Sequence, residues 1–92
     1  MRILWSGAAW ADVDRLHGFL AEHDVDAADA VLDRLINAPS ALLSFPRRGP
    51  RLSEFDPREV REFRVGHYLL RYELMGTDLI VLKFFHARED RF

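Results

Sequence analysis

Residues 60–86, VREFRVGHYLLRYELMGTDLIVLKFFH, decide the fold. Phe63 and Val65 alternate with Glu62 and Arg64; Tyr68, Leu70, Tyr72 and Leu74 then alternate with Leu69, Arg71 and Glu73. Alternation at a period of two residues marks strands with one face in a core and one toward solvent. Leu79 to Phe85 is almost unbroken apolar sequence, the pattern of a central strand. Met75-Gly76-Thr77-Asp78 reads as a turn, and the short connections among these segments require antiparallel neighbours.

Upstream the period changes. Residues 2–5 read as a short strand, and Ser6 is placed to cap a helix opening at Gly7 or Ala8. Ala9, Val13, Leu16 and Leu20 then recur at helical spacing, with the helix ending near His23. A second helix is expected from about Asp26, with Ala27, Val31, Leu35 and Ala38 as its apolar stripe, Leu42 extending it, and Pro39 kinking or restarting it. The segment DVDAAD, 24–29, lacks the glycine turn and closing glutamate of a calcium loop and reads as that helix's acidic N-terminus. A short link makes the two helices an antiparallel hairpin. The segment PRRGPRLSEFDPRE, 46–59, holds three prolines and many charges and reads as a long irregular loop. The expectation is one α+β domain over residues 1–92, β-α-α-β-β-β, a helical hairpin on one face of a small antiparallel sheet.

Composition narrows the function classes. With no cysteine among 92 residues, disulfides and thiolate metal sites are excluded. The four histidines, His17, His23, His67 and His86, lack the spacing of a zinc site, so no metal or cofactor is expected. The first residues predict no secretory leader and no run predicts a membrane span, which points to a cytoplasmic protein without a membrane partner. Net charge is −2, against a strong nucleic-acid binder, yet it is unevenly spread. Residues 1–45 carry three arginines against seven acidic residues; residues 46–92 carry nine arginines and a lysine against eight. Any electrostatic partner is met by the second half.

Four stretches carry a resemblance. WSGAAWADVDRLHGFL (5–20), LLSFPRRGPRL (42–52), REFRVGHYLLRYEL (61–74) and LIVLKFFHARED (79–90) follow one another as the corresponding segments of the RelE/ParE toxin superfamily do. The resemblance implies the toxin of a type II toxin–antitoxin pair, a growth inhibitor involved in plasmid or chromosome stabilisation and held by a cognate antitoxin in a hetero-oligomer. One branch, RelE-like, cuts mRNA on the ribosome; the other, ParE-like, inhibits DNA gyrase. A metal-free endoribonuclease needs a base, an acid and cations for the phosphate. Arg64 and Arg88 match basic positions of the nuclease branch, and His86 is a candidate acid or base. Leu69 stands where those nucleases carry an arginine, and Glu62 where another basic residue belongs. The phosphate-stabilising set is incomplete, so the ParE-like branch is favoured.

Two readings of His86 stand side by side: the acid–base group, or a core-edge histidine sharing strand parity with Ile80, Leu82 and Phe84. Leu69, Leu79, Val81 and Phe85 are assigned with Arg71 and Lys83 to the face opposite the helices, with Arg61, Arg64 and Arg71 as a basic patch. That second face is covered either by loop 46–59 or the first strand, or by an antitoxin segment. The partner-binding candidates are therefore Arg61, Arg64, Leu69, Arg71, Val81, Lys83, Phe85 and Arg88. A member that binds antitoxin without being toxic is the remaining alternative.

Overall fold

The structure, a computed structural model, describes residues 1–88. Strand β1 (Arg2–Trp5) leads into helices α1 (Gly7–Ala21) and α2 (Val25–Ala41), and strands β2 (Glu59–Val65), β3 (Tyr68–Met75) and β4 (Asp78–His86) follow. The strands form one sheet in the order β1-β4-β3-β2, so β4 is internal, as its apolar run predicts. β2, β3 and β4 are joined antiparallel, whereas β1 lies parallel to β4. Both hairpin loops have two residues, with Gly66 at φ 61° and Gly76 at φ 58°. That is the first loop position, which a type II′ turn reserves for a residue tolerating positive φ.

The Ser6 hydroxyl accepts a hydrogen bond from Ala9 N–H at 3.0 Å, capping α1, and the Asp24 carboxylate caps α2 by accepting from Ala27 N–H at 3.1 Å. Each such cap contributes about 1 kcal/mol. α2 starts one residue earlier than expected, and its core stripe runs from Ala28, which shares a face with Val31, Leu35 and Ala38, and not from Ala27. Pro39 neither ends nor restarts it; the helix absorbs the proline two residues before its end and buries the ring. The core lies between the hairpin and the sheet: Val13, Leu16, Leu35 and Leu42 meet Leu70, Tyr72, Leu79, Val81 and Phe84.

Leu79 and Val81 are thus in the helix-side core, not on the opposite face where simple alternation assigns them. The cause is an extra residue in β4: Tyr72 pairs with Val81 but Arg71 pairs with Lys83, leaving Leu82 over. Such a bulge reverses side-chain parity, so Leu79 and Val81 before it share the inner face with Phe84 after it. Val81, named above as a partner contact, is fully buried.

The bulge also sits where β1 stops, at the pair Trp5–Val81. Beyond it β4 has no strand neighbour on that side, and its backbone groups need other partners. α1 supplies them. The Ser6 hydroxyl donates to Leu82 C=O at 2.8 Å, and the Asp12 carboxylate, 7% exposed, accepts from Phe84 N–H at 3.1 Å. Lys83 reaches the same carboxylate at 3.3 Å. Stacked Trp5 and Trp10, with ring centroids 4.1 Å apart, close the junction.

Candidate partner-binding site

The register of the strands sets out the face opposite the helices. Its rows across β2, β3 and β4 are Val60–Glu73–Ile80, Glu62–Arg71–Lys83 and Arg64–Leu69–Phe85. Arg71 is its centre. Its guanidinium lies between the Phe55 ring, 5.1 Å from the centroid, and the Phe85 ring, 4.8 Å away. It donates to Glu62 at 3.2 Å, while its buried Nε has no hydrogen-bond partner among the described residues. Cation–π contact with the two rings favours this position of the planar head. Glu73, only 4% exposed, is held by a two-pronged pair with Arg58 at 2.8 and 3.2 Å. The carboxylate raises the Arg58 pKa above its ordinary value, by hydrogen bonding first and charge second.

Phe55 and Arg58 belong to the long loop, so part of this face is covered by the chain itself. The loop carries a short 3-10 turn, Ser53–Phe55. The start of the loop is fixed from the helix side. Tyr72 O–H donates to Pro46 C=O at 2.6 Å and accepts from Gly49 N–H at 3.1 Å. Burial raises the Tyr72 pKa, the hydrogen bond from Gly49 only partly opposing it. A Cβ on Gly49 would fall 2.4 Å from Glu62 C=O, so the approach requires glycine.

Arg61, Arg64 and Arg71 are not one basic patch. Arg61 lies on the helix-side parity of β2 and is spent on the loop, donating to Gly49 C=O at 2.8 Å and to Glu59 at 2.9 Å. Glu59 also receives Arg47 at 2.9 Å. Burial alone would raise the Glu59 pKa, but the hydrogen bonds from Arg61 and Arg47 outweigh it, and the net shift is downward. Arg64, on the open face, turns back to donate to Gly66 C=O at 2.9 Å.

His86 pairs with Tyr68, a core residue, and so faces the helices. Its Nδ1 accepts from Arg88 N–H at 3.1 Å, which leaves Nε2 to carry the proton of the neutral ring. The Tyr68 ring meets it edge-on at 5.3 Å, and the His67 ring lies parallel at 6.4 Å. With Arg15, Leu16, Phe19, Leu20 and Arg88, Tyr68 and His86 line a cleft of about 550 Å³ between α1 and the end of β4. His86 and Arg64 are therefore on opposite faces of the sheet, and the set Arg64, His86 and Arg88 does not converge on one phosphate. Asp12 is the residue that sequence reasoning missed. Among seven acidic residues of the first half nothing marks it except its place inside an apolar stripe.

With a helical hairpin on a four-stranded sheet of this order and arginines and carboxylates interlocked on the open face, the chain is matched by the toxins of the RelE/ParE kind. The family model for the ParE toxin of type II toxin–antitoxin system, parDE, matches residues 3–91, and the chain belongs to that family. A solved structure from a chromosomal ParDE system of P. aeruginosa superposes with a TM-score of 0.78 at 16% identity, over 94% of this chain and 95% of that one, and shares the fold. No curated protein matches the chain. Among the described residues no helix is long and apolar enough to cross a membrane.

Proposed function

We propose that this chain is a ParE-like toxin that acts by binding a protein target, DNA gyrase, and is silenced by a cognate antitoxin in a cytoplasmic hetero-oligomer. The observation that carries the choice of binding over RNA cleavage is the separation of Arg64 from His86 across the sheet. General acid–base cleavage of RNA needs its cation and its proton-transfer group on the same phosphate. The other cations of the open face are engaged as well: Arg71 between two rings, Arg58 on Glu73, Lys83 on Asp12. Such an array suits recognition of a protein surface, where charge pattern gives specificity more than raw affinity. Leu69 and Lys83 are the open-face contacts assigned to it and Arg88 the one at the cleft beside α1, whereas Phe85, 6% exposed beneath Arg71, is like Val81 spent within the fold.

Purified protein added to a gyrase supercoiling reaction is the test, with ribosome-bound mRNA as the parallel substrate. Loss of supercoiling with the mRNA intact is expected. Cleavage of the mRNA between codons, abolished in both Arg88→Ala and His86→Ala, would overturn the reading. Co-purification with the product of an adjacent short reading frame, and growth arrest when the chain is expressed without it, test the antitoxin arm.

A further inference from the structure

His86 and Arg88 lie where β4 has outrun β1, and the cleft of about 550 Å³ beside them faces α1. Its walls are apolar. Leu16 and Leu20 line it from α1 and Tyr68 from β3. Leu16 and Tyr68 also belong to the core, so the cleft opens directly onto the apolar interior. Phe19, the third apolar side chain from α1, is 65% exposed, a large ring that the fold leaves mostly uncovered.

The charged side chains on this cleft have one sign. Arg15 and Arg88 each bring a guanidinium, and among the described residues no carboxylate lines the cleft. Arg15 stands 3.7 Å from an Asp12 oxygen that Lys83 also reaches, at 3.4 Å, so one carboxylate serves two cations. His86 accepts from Arg88 N–H through Nδ1, and its neutral ring therefore carries a donor at Nε2. Two guanidiniums and a donor suit an anion, and the flat guanidinium fork matches a carboxylate in particular.

We propose that this cleft binds a small amphipathic carboxylate, a medium-chain fatty acid, with its chain against Leu16, Phe19, Leu20 and Tyr68 and its head on Arg15 and Arg88. A cleft of this volume falls in the range of small-molecule sites, with apolar walls and a few polar groups that fix orientation. The α1 wall runs only from Arg15 to Leu20, about 7.5 Å along the helix axis. That is short for a partner helix, whose anchors at i, i+3, i+4 and i+7 extend over about 10 Å, and long enough for an acyl chain. The site itself does not depend on the toxin reading. One consequence does: an acid held by Arg88 covers a contact assigned above to the protein target.

Titration of the purified full chain with octanoate, followed by side-chain NMR, provides the test. Saturable shifts at Leu16, Phe19, Leu20, Tyr68 and His86 are expected, with a dissociation constant on the order of 1 mM or below. Acetate has the head without the chain, and octylammonium the chain with the opposite charge; each should bind at least about tenfold more weakly. Arg15→Gln and Arg88→Gln, both at exposed side chains, should each weaken octanoate about fivefold to tenfold. Added salt should weaken octanoate on the wild type and much less on the double variant. Phe19→Ser should weaken it about threefold, and its exposed position spares the fold. Octylammonium binding as tightly as octanoate, or shifts as large at exposed Trp10 and Phe45 as in the cleft, would mean general adsorption to apolar surface and overturn the proposal. Absence of saturable shifts in the cleft leaves it to a protein segment and overturns the proposal as well. The gyrase and mRNA assays are run without the acid, so either failure leaves the toxin reading where those assays put it.

Discussion

The two faces of the sheet are held by different forces. On the helix side the rows Phe63–Leu70–Phe84 and Arg61–Tyr72–Val81 are mostly apolar, and the core residues Leu70, Tyr72, Val81 and Phe84 are all fully buried. Burial of that kind is not screened by salt. On the open face the middle row is Glu62–Arg71–Lys83, held by ion pairs and cation–π contacts under a loop. Partly exposed charges are screened by salt and can exchange partners. One side is built to stay closed; the other presents charges that a second protein can compete for.

That contrast predicts unequal costs. Asp12→Ala should be the most damaging, because it strands the buried Phe84 N–H and releases the pair with Lys83 where α1 fastens to β4. Leaving a buried donor unsatisfied costs about 1–3 kcal/mol, and each kcal/mol lowers Tm by roughly 4–8 °C in a domain of this size. Asp12→Asn, which keeps an acceptor, should recover much of the loss in a thermal melt. Tyr72→Phe comes next: it removes the bonds to Pro46 and Gly49 at a cost of about 1–3 kcal/mol, tempered because the freed start of the loop can turn these groups toward water. Phe55→Ala on the open face should cost less than about 1 kcal/mol, since the ring is half-buried and Arg71 keeps Phe85 and Glu62. A Phe55→Ala melt as low as that of Asp12→Ala would break the comparison and make the open face structural.

The same contrast governs what could be read from the sequence. Order and type of the elements follow from periodicity: residues 2–5 are β1, Ser6 caps α1, and Tyr68 to Leu74 form β3 as expected. β4 resisted, because a run in which both parities are apolar carries no mark of the extra residue at Leu82. Simple alternation therefore puts Leu79 and Val81 outward, though they are core. The arginines of the open face are visible as residue types, but their partners are not. Arg58 finds Glu73 and Arg61 finds Gly49 C=O only after the loop folds back, contacts separated by 15 and 12 residues. Local pattern sees the face a side chain takes, not the distant charge it meets.

Glu59 joins the two regimes, since it sits where the loop meets the sheet and holds both Arg47 and Arg61. Its pKa in the folded protein lies below its ordinary value, the two arginines outweighing burial. A carboxyl with a depressed folded pKa adds stability above its unfolded pKa, about 4.3, and loses it as pH falls through the lower folded value. Wild type should therefore melt above Glu59→Gln at neutral pH, and the two melting curves should converge as the solution is taken below about pH 4. The gap should be the smallest of the set, because the Arg47 half of the cluster is exposed to solvent. Salt separates the contributions. Added salt should screen the Arg47 pair and leave the sheltered Arg61 pair, so a residual gap at high ionic strength measures the part of Glu59 that belongs to the closed side. A gap that vanishes with salt places Glu59 wholly with the open one.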